Sequence, residues 1–410
     1  MGQCYITRRG FEEKMGEQLG IYPTGANGRP QGDVTVIDKV TTLATNVFRN
    51  NTDVITVKLP PNLKEIQNYA FENCSNLLNL PLPNKLEKIG SYAFSGCTKL
   101  NTIELPSSVK TLGEYVFSGC TSLISISLST GLKSIAEYAF GGANVKEITL
   151  PYGLNPDLWD FAFRGNTSLE TVYIECNHLS IDCFFNTKIK KVYIKSTVRS
   201  LGEGAFQQCS NLSSVIFEEG ITWINNYAFD DCNALTSVSL PASLRTIDSY
   251  AFYNCRNLTS VNLKNGIENI YYRSFYDCNE LASISIPSSI KFIDSNAFYE
   301  CDKLAHIYID KPKNSIAGAP WGCKAMVHWK EAYINFICDK DVYEIFIDGK
   351  KLTSNLYTFS PQDSGTTITY TAYTVNYEPV TKIIYIESSE KATYNEEIIF
   401  TQESPCTVTI

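Results

Sequence analysis

The sequence predicts a β-rich α/β solenoid of about 12–13 turns of 23 residues, followed by a small all-β sandwich domain. Three observations carry that expectation. Phenylalanine recurs at 48, 71, 94, 117, 140 and 163 at a constant interval of 23, then at 184, 206, 229, 252, 275 and 298. Around each of these residues one apolar frame returns, so that Ile247 to Leu263 matches Ile89 to Leu105 and Ile224 to Leu240 position for position. Near residue 331 the frame stops and short alternating strands begin. A unit this short cannot bury its own apolar face, so it must stack on its neighbours.

Residues 1–33 do not fit the repeat and are expected to form an N-terminal arm or cap. Gly10 to Leu19 reads as one weak helix and Gly25 to Gly32 as a flexible linker. The arm is expected to be poorly ordered alone and to offer a contact to an assembly partner. No apolar stretch follows Arg8 and Arg9, so no secretory signal is read there. Ile6 stands where a myristoylation motif has Ser or Thr.

Residues 34–330 are the solenoid. In Leu100-Asn-Thr-Ile103-Glu-Leu105 the final alternation marks a short strand. Stacked in parallel at about 4.8 Å, twelve such strands make one sheet roughly 55–60 Å long. Pro106, Pro241 and Pro287 close that strand, since proline lacks the N–H a ladder needs. Ser91-Tyr-Ala-Phe94 reads as a short helical turn behind the sheet. In a degenerate thirteenth turn Trp321 takes the Phe position, and with His328-Trp329 it reads as a cap over the end of the core.

Eight of the 14 cysteines stand three residues after the Phe: Cys74, Cys97, Cys120, Cys209, Cys232, Cys255, Cys278 and Cys301. Their spacing is not that of a zinc site. In a parallel stack their Cβ atoms lie about 4.8 Å apart, too far for a relaxed disulfide. They read as a ladder of buried, reduced thiols acting as small apolar groups, which favours folding in a reducing compartment. The six others, Cys4, Cys176, Cys183, Cys323, Cys338 and Cys406, lie off the ladder and have no assigned pairing.

Residues 331–410 alternate polar and apolar side chains. Tyr343 to Asp348 runs into an Asp348-Gly349 turn, a hairpin signal. Thr366 to Val375, Lys382 to Glu387, Glu397 to Thr401 and Thr407 to Ile410 supply further strands, enough for a β-sandwich.

The repeat resembles the BspA-type leucine-rich repeats, whose units read Ile-Gly-x-x-Ala-Phe-x-x-Cys-x-x-Leu-x-x-Ile-x-Ile-Pro. The resemblance covers about residues 34–330. It implies surface and host-interaction proteins, many of them adhesins of gut and oral microbes or mucosal parasites. Ile345-Phe-Ile-Asp-Gly-Lys and Tyr377-Glu-Pro resemble PEGA-type or bacterial immunoglobulin-like accessory domains.

Charge and motif content narrow the function. Of the net charge of −8, residues 331–410 carry −7 and the solenoid with its arm carries −1. A nearly neutral body has no basic stripe, so no nucleic-acid partner is expected. No apolar run reaches 18 residues, so no membrane span is expected. His178, His306 and His328 come from different turns, and none lies in a metalloprotease or hydrolase motif. The chain reads as a non-enzymatic binder with no cofactor, no metal and no catalytic residue.

Side chains on a strand alternate faces, so the outward rows lie eight and ten residues after each Phe, or seven and nine after Phe140 and Phe184. The first row is mostly Ser and Thr, eight of twelve, and the second has four of twelve. The middle departs from this, bringing Glu147, Tyr173, Lys191, Tyr193 and Ile216 to the surface. The same stretch, 141–200, loses the Cys ladder at Ala143, Asn166 and Thr187, breaks the spacing and adds Trp159. Tyrosine and charge together are the composition of binding hot spots, so these five residues are the expected ligand-contact patch for a protein or glycan. A second row, Tyr69, Tyr92, Tyr115, Tyr138, Tyr227 and Tyr250, reads as a packing ladder. The expected role is an adhesin or receptor-binding protein, extracellular or on a cell surface. The alternative is a structural spacer, or a phage tail or virion component that folds in the cytoplasm and holds up the C-terminal β-domain.

Overall fold

The computed structural model describes residues 22–24, 30–36, 38–155, 161–311 and 315–329, and beyond them 332–338, 344–347, 350–353, 356–359, 367–373, 380–385 and 393–398. Thirteen turns stack on a spine of twelve phenylalanines and Trp321, all fully buried. Successive Phe rings lie face to face with centroids 4.9 to 5.6 Å apart. One Phe per turn, at an interval of 23 that shortens to 21 and 22 around Phe184, puts each ring over the last.

Among the described residues most turns have three hydrogen-bonded sides. The expected parallel strands form the first, in two runs rather than one. Six strands from Thr102–Glu104 to Ser214–Phe217, joined to Val54–Lys58 by single bridges at Asn79, make one run, and five from Ser237–Ser239 to Met326–Trp329 make the other. The proline after the strand opens a turn: the N–H of Val109 bonds to the Pro106 carbonyl at 3.0 Å, and Leu244 and Ile290 repeat this with Pro241 and Pro287. That turn carries the chain to the second side, where two-residue parallel strands end in the buried apolar residue five before each Phe. They run from Thr42–Leu43 to Ser134–Ile135, then from Ser200–Leu201 to Phe292–Ile293. A single sheet was expected; a second exists because one well-buried residue per turn suffices to anchor a short strand.

The third side corrects the expected helical turn, and with it the α component of the fold class. No helix occurs among the described residues. Tyr92 has φ 57° and Gly96 has φ 72°, and left-handed residues recur at these two positions in most turns. A left-handed residue every fourth position cannot continue a right-handed helix. Instead alternate N–H groups bond forward to the next turn, as Tyr69 to Ser91, Phe71 to Ala93 and Asn73 to Ser95. The N–H groups between them, on Ala70, Glu72 and Cys74, bond back three residues. The backbone polar groups of this side are thereby paired.

The cysteine ladder is buried with free thiols, as expected. It is more than an apolar ladder, because each of the eight Sγ atoms donates to the carbonyl of the Phe in the preceding turn, at 2.9 to 3.3 Å. Of the three lapses, Ala143 has no side-chain donor, and Asn166 alone keeps the bond to the preceding turn. Asn166 Nδ2 donates to the Phe140 carbonyl at 3.2 Å, and Thr187 Oγ1 lies 3.2 Å from Cys209 Sγ.

At the N-terminus, Tyr22–Thr24 pairs antiparallel with Pro30–Thr35, which pairs in parallel with Val54–Lys58. This hairpin crosses the expected boundary at residue 33. The expected helix at Gly10 to Leu19 lies outside the described residues. In the C-terminal part, Ala332–Cys338 pairs with Leu356–Phe359 and Thr393–Ile398. Glu344–Ile347 pairs with Lys350–Lys351 and Thr367–Tyr373, and the latter with Val380–Tyr385. The expected strand at Glu397 is thus centred a few residues earlier. Asp348-Gly349, Tyr377-Glu-Pro and Thr407 to Ile410 lie outside the described residues.

Candidate binding face

On the first side the strands Glu147–Leu150, Thr171–Ile174, Lys191–Ile194 and Ser214–Phe217 pair in register. One row runs Thr149, Tyr173, Tyr193, Ile216; the other runs Glu147, Thr171, Lys191, Ser214. Alternation is strict here: Ile148, Val172, Val192 and Val215 between the rows are buried. Tyr173 and Tyr193 stack with centroids 4.7 Å apart and planes 6° off parallel. Ile216, 41% exposed, continues the row.

Lys191 Nζ sits 5.2 Å from the centre of the Tyr193 ring. The Tyr193 side chain beside it, by hydrogen bonding first and by charge second, holds the ammonium above its ordinary range. Glu147 does not meet Lys191. It pairs with Ser125 and Thr171, so the Thr171 strand separates the two charges by about 10 Å. The structure therefore joins four of the five patch residues and leaves Glu147 at the edge.

At the entry to these strands Lys146, Lys188 and Lys190, with Glu170, line an open hollow of about 320 Å³. Lys190 pairs with Glu170 at 3.0 Å, a bond that holds the Glu170 carboxyl below the usual carboxylate range. Trp159, expected beside the patch, lies outside the described residues. The tyrosine row at Tyr69 to Tyr138 packs as a ladder, half-buried, with ring centroids 4.9 to 5.0 Å apart.

Counting residues from the Phe missed one cluster. Strand His306–Ile309 pairs with Met326–Trp329, setting Tyr308 opposite His328 and His306 opposite Met326 on the outward face. The thirteenth turn is shortened, so the offset of eight that marks the outward row in most other turns passes over Met326 and His328. Pairing the buried Ile307 with the half-buried Val327 would have found it.

A parallel β-solenoid with a Phe spine, a thiol ladder and an outward Ser/Thr face defines a leucine-rich-repeat protein. The family model described as "BspA type Leucine rich repeat region (6 copies)" matches residues 41–170, 100–213, 155–234 and 200–319, and the chain belongs to that family. A search of curated proteins finds no match. Among solved structures, a leucine-rich repeat protein from Bacteroides ovatus is 21% identical over 66% of this chain and 86% of its own, with a TM-score of 0.42. The pneumococcal vaccine antigen PcpA is 19% identical over 73% of this chain and 89% of its own, with a TM-score of 0.41. A leucine-rich cell surface protein from Faecalibacterium prausnitzii is 22% identical over 72% of this chain and 87% of its own, at 0.30. None of the described residues forms a helix long and apolar enough to cross a membrane.

Proposed function

We propose that this is a non-enzymatic, adhesin-type binding protein displayed outside the cell, and that the middle of its first sheet face contacts a protein partner. The observation that carries the reading is the Tyr173–Tyr193 stack, flanked by exposed Ile216 and by Lys191, in the middle of a face whose neighbouring strands carry many Ser and Thr. Two rigid rings supply contact area at little entropic cost, and a small apolar residue with a cation beside them completes a hot-spot composition. The lysine-lined hollow next to them favours a partner with acidic side chains at its rim. Membership in a repeat family of binding scaffolds supports the class, and the surface location rests on that membership alone.

The test is capture from host-cell surface extract by the full chain, compared with a Tyr173→Ala, Tyr193→Ala double variant. Both positions point outward, so the variant should keep its melting temperature within a few degrees and lose most of the captured partner. Unchanged capture by the folded variant would leave the alternative role of spacer or virion component as the better account.

A further inference from the structure

We propose that His306 and His328 form a surface site for a first-row transition-metal ion, with copper the preferred metal. The site lies near the C-terminal end of the solenoid, five strands along from the tyrosine pair, and does not depend on the binding role assigned to that pair. His306 Nδ1 and His328 Nε2 stand 3.1 Å apart, with ring centroids at 5.2 Å and planes 48° apart. Two imidazole nitrogens bound side by side to one ion at about 2.0–2.1 Å each are separated by about 2.9–3.4 Å. The pair is therefore already at the bite distance. As a hydrogen bond the same contact requires one nitrogen to carry a proton; to bind an ion that ring takes its other tautomer, with the proton on its remaining nitrogen, so that both facing nitrogens become ligands.

The rings are held in place from below. Parallel pairing of the two strands fixes both backbones, and His328 stacks on Tyr308 at 4.6 Å with planes 14° apart. Little rotamer entropy then remains to be lost when an ion binds. His306 and Tyr308 are exposed, so the ion enters directly from solvent and water completes its coordination. Met326, opposite His306 in the register and 62% exposed, adds a thioether to the same surface. Imidazole suits copper, nickel and zinc, the divalent series peaks at copper, and a thioether neighbour strengthens that preference. No third His, Cys, Asp or Glu joins the group among the described residues, so this is an open two-ligand site rather than a closed structural one.

The experiment titrates the full chain, its accessible thiols blocked with N-ethylmaleimide, with Cu²⁺ alone. Calorimetry counts the ions, and electron paramagnetic resonance with electron spin-echo modulation counts the imidazoles. We expect one tight equivalent whose modulation shows two imidazoles. His306→Ala and His328→Ala should each leave one imidazole and weaken binding about tenfold or more, with His178→Ala unchanged as the control. The spin-echo signature of the unmodified chain stands even if a variant folds poorly. A one-imidazole signature in the unmodified chain would overturn the proposal, as would unaltered binding by a folded double His306→Ala, His328→Ala variant.

Discussion

At the scale of single residues, the thiol ladder shows why cysteine recurs at one position. The carbonyl of each spine Phe faces a slot in the next turn that is small and dry, yet needs a donor. A thiol fills the volume and supplies a weak S–H donor. Asn166 brings a donor to the same slot, bonding the Phe140 carbonyl, whereas Thr187 Oγ1 donates to the Phe184 carbonyl of its own turn. Burial pushes the thiols of Cys74 and Cys120 up to about 12. They stay protonated near neutrality and are poor nucleophiles. A native-state titration with a thiol reagent should therefore leave the eight ladder cysteines unreacted until denaturant is added, and ready reaction would contradict the ladder. Asp230 stands out on the opposite ground. It is 6% exposed, its Oδ2 accepts from Gln207 Nε2 at 2.7 Å, and its Oδ1 has no partner. Burial pushes its carboxyl up to about 6. A raised folded value makes the protonated form the stabilising one, fully present below the ordinary value near 4 and lost as pH rises through 6. Asp230→Asn should thus raise stability at pH 7 by roughly 1–3 kcal/mol and flatten the stability profile between pH 4 and 6, as read by urea denaturation at several pH values.

At the scale of the repeat, the recurring Phe frame carries the spine, the outward rows and the first-side strands in its own spacing. What stayed hidden was backbone conformation. Nothing in Ser-Tyr-Ala-Phe marks the tyrosine as left-handed, since only Gly, Asn and Asp signal that conformation, and here the ring stack and the ladder to the next turn hold it. Gly96, Gly119, Asn73 and Asn254, two residues after the Phe, did carry that signal and could have excluded the helix. The second sheet was missed because two-residue strands have too little alternation to detect. Within the patch, the tyrosine pair could be read from spacing alone, whereas the Glu147–Lys191 separation required the order of strands between them. Spine positions also set the energetic scale. Phe229 is fully buried between Phe206 and Phe252 at 5.5 and 5.1 Å, so Phe229→Ala should cost roughly 3–5 kcal/mol by chemical denaturation.

At the scale of the whole molecule, a solenoid has no closing contact between its ends, so each end of the stack must be covered. The C-terminal end buries Trp321, whose Nε1 donates to the Ala317 carbonyl at 2.8 Å and whose ring meets Trp329 at 6.2 Å. At the other end, strand Pro30–Thr35 adds to the edge of Val54–Lys58 and buries Val34. Asn51, at the ladder position of the first turn, donates from Nδ2 to the Pro30 carbonyl at 3.0 Å. Thr56 Oγ1 bonds Asp33 Oδ1 at 2.6 Å. The segment expected to be a loose arm thus includes a strand that covers an otherwise open sheet edge. Stability in such a stack is close to a sum over neighbouring turns, so loss of the first neighbour frays the chain from that end. An exposed parallel edge is also a template for pairing with another chain. Removing residues 1–35 should therefore lower the melting temperature by several degrees and produce concentration-dependent association in sedimentation velocity. Asn51→Ala in the full chain should give a smaller loss of about 1–2 kcal/mol, because the Pro30 carbonyl stays buried without its donor. If the truncated chain melts with the intact one and remains monomeric, the strand contributes nothing as a cap, and residues 1–35 are free to serve an attachment role alone.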